Sequence, residues 1–165
     1  MAEVLLGGNP VHTAGELPEV GTKAPDFAVT GVDMADITRD SLAGKRVIIN
    51  IFPSLDTAVC AMSVRKFNEA AAGLDNTVVL CVSADLPFAQ KRFCGAEGIE
   101  NVQTGSVFRS NFGTAYGVTM TDGRLAGLLA RSVVVLDETG SVVHTELVPS
   151  ISDEPNYENA LSAVR

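Results

Sequence analysis

Three cysteines are the residues of this chain best suited to covalent chemistry, and each has a different local setting. Cys81 lies inside the apolar run Val78–Val82, where a cysteine usually acts as a small hydrophobic residue. Cys60 stands where an apolar run gives way to a helical pattern, and Cys94 lies late in a second helical pattern, beside two cations and a glycine. Cys60 and Cys94 are therefore the candidate reactive thiols, although the Phe-rich and Ala-rich surroundings of Cys94 equally suit a core residue.

Cys60 closes the run Pro53-Ser54-Leu55-Asp56-Thr57-Ala58-Val59-Cys60. Asp56 or Thr57 can serve as the N-cap of the helix that follows, which places Cys60 in its first turn. Unpaired backbone N–H groups and the helix dipole stabilise an anion there. The sequence therefore predicts that Cys60 is held as the thiolate, the nucleophilic form of a cysteine. The carboxylate of Asp56 would oppose this, so we expect it to point away.

A cation that could assist Cys60 is best placed at Arg131, directly before the apolar run Ser132–Leu136. We expect that run to pair with the strand leading to Cys60, and a guanidinium keeps its charge when partly buried. The alternative is a strand-end arginine that binds loop carbonyl groups. Arg65 and Arg92 are weaker candidates.

Other chemistries find little support in the sequence. There is no Cys-x-x-Cys pair, and no combination of cysteines and histidines has the spacing of a zinc site. His12 and His144 lie in strand-like surroundings and are expected to be surface or hydrogen-bonded residues. We predict neither a metal nor a bound organic cofactor.

Composition limits the location and the partners of the chain. With 165 residues, a single domain over 1–165 can bury roughly 70% of its unfolded surface without disulfides. The formal charge is −8 and the twelve Lys and Arg are scattered, which argues against nucleic acid as a partner. No run of eighteen apolar residues and no basic leader is present, so we expect no membrane span and a cytoplasmic location.

The remaining pattern alternates short strands with helices. A hairpin is predicted around the turn 7–10, and the other predicted strands are 27–30, 47–52, 77–83, 102–104, 132–136 and 142–148. The predicted helices are 57–74, 87–98, 108–116 and 155–163, with a turn-like element at 38–42. This order is that of an α/β, thioredoxin-like fold, in which helices flank a central mixed sheet and an N-terminal β-hairpin precedes it.

Several segments resemble a known family. The pattern Pro-x-x-x-Thr-x-x-Cys at 53–60 resembles the active-site signature of the peroxiredoxins, enzymes that reduce hydroperoxides at a cysteine. The wider segments resemble the thiol peroxidase branch of that family and span almost the whole chain: Val47–Arg65, Val79–Gly98, Gly127-Leu128-Leu129-Ala130-Arg131 and Gly8-Asn9-Pro10.

This resemblance implies that Cys60 is the peroxidatic cysteine, that Cys94 is the resolving one, and that Pro53, Thr57 and Arg131 complete the active site. It further implies an intrachain disulfide reduced by thioredoxin, a homodimer, and hydrogen peroxide or alkyl and lipid hydroperoxides as substrates. Two alternatives stay open. One is a thiol–disulfide oxidoreductase, against which the missing Cys-x-x-Cys counts, and the other is a redox-sensing binding protein.

Overall fold

A computed structural model describes residues 1–165 and shows one large sheet, a separate hairpin and four helices. The strands are β1 (Glu3–Leu6), β2 (Asn9–His12), β3 (Ala28–Thr30), β4 (Asp36–Thr38), β5 (Arg46–Ile51), β6 (Thr77–Ser83), β7 (Gln103–Ser106), β8 (Ser132–Leu136) and β9 (Val142–Leu147). The helices are α1 (Ala58–Ala71), α2 (Pro87–Glu97), α3 (Phe112–Ala115) and α4 (Tyr157–Ser162), and a 3₁₀ turn spans Asp40–Leu42.

The large sheet has seven strands in the order β4-β3-β7-β6-β5-β8-β9. β5, β6 and β7 run parallel, whereas β8 lies antiparallel to β5, and β9 antiparallel to β8. The sheet is therefore mixed, as predicted. In the β5–β8 register, Ile51 faces Ser132. This pairing brings the chain before β8 next to the C-terminal end of β5, from which the chain leads to Cys60.

β5 is buried on both faces of the sheet, as its continuous apolar sequence predicts. Val47, Ile49 and Ile51 enter one hydrophobic cluster, which α3 covers. Ile48 enters the other, which contains side chains of α1 and α4 and also the side chain of Cys60. The central strand thus supports the helix that carries the thiol.

The N-terminal hairpin turns at Gly7 and Gly8, which have φ values of 59° and 82°. Two successive positive φ values suit a two-residue hairpin turn, and glycine adopts them without steric cost. β2 therefore starts at Asn9, two residues earlier than predicted. Backbone hydrogen bonds join the hairpin to the rest of the chain: from Leu5 to Pro149 at 2.8 Å, from Ile151 to Leu5 at 2.9 Å, and from Thr121 to His12 at 2.8 Å.

The structure differs from the sequence prediction in its shorter elements. β4 was not predicted, because its three residues contain a single apolar side chain. α1 ends at Ala71 instead of residue 74, and α3 covers four residues of the predicted 108–116. The longest helix, α1, has 14 residues, and no helix combines the length and the apolar character that a membrane span requires.

Candidate active site

The junction between β5 and α1 forms the core of the site. Thr57 is the N-cap residue of α1, with φ −106° and ψ 147°. Its hydroxyl does not cap the helix but donates to the carbonyl of Ser54 at 3.0 Å, which differs from the expected capping role. The amide N–H groups of residues 58–60 have no protein acceptor. The first turn of α1 therefore offers free donors around Cys60 to an incoming anion or a polar oxygen.

Arg131 is the charged partner of Cys60. Both residues are buried, with 2% and 0% of their surface exposed. One guanidinium nitrogen, Nη2, lies 3.3 Å from the Cys60 sulfur, and Nε and Nη2 donate to the carbonyl of Ile151 at 3.0 and 2.9 Å. A guanidinium at this distance donates a charge-assisted hydrogen bond to the sulfur. Arg131 thus contacts both groups that the sequence analysis considered for it, a loop carbonyl and the Cys60 sulfur.

The third guanidinium nitrogen of Arg131, Nη1, is buried and has no protein partner. Buried donors are nearly always satisfied, so an unpaired one calls for an explanation. Arg131 also lines a pocket, and Nη1 is its one guanidinium nitrogen without an acceptor.

This pocket, called here the Arg131 pocket, has a volume of about 380 Å³. Pro53, Thr57 and Arg131 all line it, while Cys60 lies buried behind them. Pro53 contributes an apolar surface without an N–H group that would compete for the sulfur. The lining consists of Leu6, Gly7, Pro53, Thr57, Ala58, Val59, Arg124, Leu125, Arg131, Ile151 and Ser152.

Asp85 anchors the loop before α1, a function that the sequence analysis did not identify. Its carboxylate accepts hydrogen bonds from the Ser54 hydroxyl at 2.7 Å, the Leu55 amide at 2.8 Å and the Ser83 hydroxyl at 2.6 Å. Asp85 follows β6, which lies parallel to β5, so the two loops meet at the same edge of the sheet. The sequence signal that could have identified Asp85 is an acidic residue close after the strand that runs parallel to β5.

The other two cysteines lie in distinct environments. Cys81 is fully buried, which confirms it as a core residue, and burial raises the pKa of its thiol to about 12. Cys94 is half-buried against the same hydrophobic cluster as Cys60, and burial raises the pKa of its thiol as well. All three thiols are free. Cys94 does not line the Arg131 pocket, but it packs against the hydrophobic cluster that contains Cys60.

The weaker cation candidates make ion pairs elsewhere. Arg65 binds Glu97 at the end of α2, and Arg92 lies 3.9 Å from Asp56. The side chain of Asp56 is 75% exposed and extends toward that arginine. This confirms that Asp56 points away from Cys60.

The two histidines differ from each other. His12 is hydrogen-bonded to Asp122 at 2.7 Å, as expected for a satisfied surface residue. His144 is partly exposed as well, and its Nε2 has no protein partner.

Comparison with known proteins agrees with this geometry. The Redoxin family matches residues 19–161, and the chain belongs to that family. Among its relatives, a protein of Mycobacterium tuberculosis named "Thiol peroxidase" is 60% identical over 164 residues, covering 99% of both chains. One from Corynebacterium glutamicum with the same name is 52% identical over the same coverage.

The solved structure of a peroxiredoxin-like protein from Aquifex aeolicus has 41% identity and a TM-score of 0.92, and the match covers 99% of this chain and 96% of that one. The thioredoxin-like fold predicted from the order of elements is thereby confirmed. Within the Redoxin family, the chain falls in the peroxiredoxin group that contains the thiol peroxidases.

Proposed function

We propose that this chain is a thiol-dependent peroxidase in which Cys60 reduces hydroperoxides, Cys94 resolves the oxidised cysteine, and thioredoxin supplies the electrons. The observation that carries the proposal is the buried Arg131 guanidinium 3.3 Å from the Cys60 sulfur, at the start of a helix with free amide donors. Family membership supports a peroxide substrate and a thiol reductant in general.

In the first step, the Cys60 thiolate attacks the terminal oxygen of the hydroperoxide. The O–O bond breaks, its electron pair goes to the departing oxygen, and that oxygen leaves as water or an alcohol after it takes up a proton. Negative charge thus moves from the sulfur to the leaving oxygen. We assign stabilisation of this charge in the transition state to the Arg131 guanidinium, which lies 3.3 Å from the sulfur, and to the free amide of Cys60.

Two further side chains complete the proposed site. Pro53 shields the sulfur, and the Thr57 hydroxyl lies at the wall of the same pocket. In the present structure that hydroxyl donates to Ser54. A bound hydroperoxide oxygen would be an alternative acceptor, because a hydroxyl group rotates readily between acceptors.

The second step forms a disulfide. The Cys94 sulfur attacks the sulfenic acid sulfur of Cys60, the proton of the Cys94 thiol goes to the departing oxygen, and that oxygen leaves as water, which protects Cys60 from further oxidation. A disulfide requires Cα atoms within about 7 Å. We propose that the first turn of α1 and the end of α2 unfold locally to reach it. This unfolding takes the Cys60 sulfur away from Arg131 and out of its hydrophobic cluster. The polar contacts between α1 and α2 or the loops that follow them are exposed: Arg65 to Glu97, Arg92 to Asp56, and the Asn68 side chain to the amides of Glu100 and Asn101.

The last step returns the enzyme to its starting state. A dithiol exchanges with the Cys60–Cys94 disulfide, which must remain reducible. The balance is one hydroperoxide and one dithiol consumed, and one alcohol or water, one water and one disulfide formed. Thioredoxin, a homodimer and an inclination toward alkyl and lipid hydroperoxides are expectations from the family resemblance, whereas the cytoplasmic location is an expectation from the sequence.

The proposal is tested by turnover with cumene hydroperoxide and thioredoxin in the wild type and in three variants, each with one cysteine replaced. Cys60→Ser should abolish turnover. Cys94→Ser should allow one rapid oxidation and little recycling, whereas Cys81→Ala, the matched control, should keep both. Mass spectrometry after one equivalent of peroxide should show a Cys60–Cys94 link within one chain. Activity without Cys60, or a link to Cys81 or between chains, would contradict the assignment.

A further inference from the structure

The Arg131 pocket contains a second arginine that the chemistry at the sulfur does not use. Arg124 lines the same pocket as Arg131, but its side chain is exposed. It takes part in no side-chain hydrogen bond and in no ion pair within 4.0 Å. Arg131, in contrast, is occupied by Ile151 and by the Cys60 sulfur. Arg124 is therefore the arginine of the pocket that is free to bind a ligand group away from the sulfur.

The charge around this pocket is unusual for the chain. The sequence holds 20 acidic residues against 12 Lys and Arg, yet both charged residues of the pocket lining are arginines and none is acidic. The nearest acid in sequence, Asp122, is already bound by the amide and the ring of His12, each at 2.7 Å. No carboxylate of this protein neutralises Arg124. The lining of the pocket thus offers an unpaired guanidinium and no carboxylate, which favours an anionic ligand there.

The loop that carries Arg124 is held against the N-terminal hairpin. The Thr121 amide donates to the His12 carbonyl at 2.8 Å, and Asp122 binds the same residue. Gly123 lies so close to Val11 that a Cβ atom there would come within 2.7 Å of its side chain. Arg124 therefore starts from an anchored backbone, although its side chain is free.

Apolar side chains make up most of the remaining lining. Leu6, Leu125, Val59 and Ile151 belong to it together with the two arginines. A ligand that suits this lining has an apolar body, a polar oxygen for Arg131 and an anionic group for Arg124. A hydroperoxide of a carboxylic acid with an apolar chain has these three parts.

We propose that Arg124 is a specificity-determining residue that binds the carboxylate of an acid-bearing hydroperoxide, while the peroxide group reaches Arg131 and Cys60. The inference rests on the proposed peroxidase function and adds to it a preference for the anion over an otherwise identical neutral substrate. An exposed charge pair of this kind changes rates by about three- to fivefold. High salt weakens it, because the Debye length falls from about 10 Å at 0.1 M to about 3 Å at 1 M.

The test compares the hydroperoxide of a long-chain unsaturated fatty acid with its methyl ester, which differs only in lacking the charge. Stopped-flow measurement of Cys60 oxidation gives the second-order rate constant for each, without any reductant. The readout is the acid-to-ester ratio within each protein, so differences in solubility between the two substrates cancel between variants. The ratio should fall about three- to fivefold in Arg124→Gln, stay close to the wild-type value in Arg124→Lys, and fall further in Arg124→Glu.

Lys45→Gln is the charge-matched control, since Lys45 is exposed and precedes β5 at the opposite end of that strand from Cys60. It should keep the wild-type ratio, and 1 M salt should lower the ratio only in proteins that retain a cation at residue 124. An unchanged ratio in Arg124→Gln, or an equal fall in Lys45→Gln, overturns the inference. Cumene hydroperoxide, which has no carboxylate, distinguishes failure of the Arg124 inference from failure of the peroxidase function. If the wild type does not react with it, the peroxidase function itself is refuted.

Discussion

Replacing Arg131 by methionine tests the electrostatic basis of the active site. Methionine keeps an unbranched apolar stem of similar length but removes the guanidinium, its contact with the Cys60 sulfur and both hydrogen bonds to the Ile151 carbonyl. A unit charge 3.3 Å from the sulfur corresponds to about 5 kcal/mol of attraction at an effective dielectric constant of about 20. Desolvation of the buried pair offsets part of this.

The expected loss in transition-state stabilisation is therefore about 3–4 kcal/mol, similar to removal of one oxyanion donor in other enzymes, or about 10² to 10³ in rate. The assay is single-turnover oxidation of Cys60 by cumene hydroperoxide in a stopped-flow instrument.

Arg131→Lys is the matched variant, since it keeps the charge but not the planar fork that binds sulfur and carbonyl together. Its rate should lie between those of the wild type and Arg131→Met. Both variants leave the Ile151 carbonyl less well satisfied, so a loss of about 1–3 kcal/mol in the free energy of unfolding is expected, and circular dichroism must show that they are folded. A folded Arg131→Met protein that reacts within about threefold of the wild-type rate would refute the electrostatic argument.

Two further predictions concern the surroundings of the site. Asp85→Asn replaces an acceptor of three hydrogen bonds by an amide with one acceptor oxygen, and should lower the free energy of unfolding by about 2 kcal/mol, measured by urea denaturation; an unchanged midpoint would contradict the anchoring function. The hydrogen bond to Asp122 raises the pKa of His12 above 6.5, while the same contact lowers the pKa of Asp122. Because the pKa of His12 is raised, its stabilising effect is complete below pH 6.5 and is lost as the pH rises through the folded-state pKa. Because the pKa of Asp122 is lowered, its stabilising effect is lost as the pH falls through the folded-state pKa of that carboxyl. His12→Asn should therefore be less stable than the wild type at pH 6 and approach it by pH 9, in urea titrations at both pH values; a constant difference would contradict this linkage.

Much of the fold could be predicted from local sequence because it depends on short-range patterns. The unbroken apolar run before Pro53 indicates a strand buried on both faces, and β6 and β8 have the predicted bounds. The change to helical spacing after Thr57 places Cys60 in the first turn of α1. β4 is too short and too polar to be recognised in this way, since its pairing with β3 alone makes it a strand.

The position of Cys60 at a helix N-terminus, its free amide donors and its neighbour Pro53 follow from the sequence alone, because they depend on fewer than ten consecutive residues. Only the tertiary structure decided which distant groups meet there. Arg131 reaches the sulfur across 71 residues through the pairing of β8 with β5, and Asp85 holds the loop across about 30 residues through β6. Such contacts depend on strand order and register, which local residue patterns do not encode, and the placement of Arg124 in the Arg131 pocket likewise depends on the packing of its loop against the hairpin.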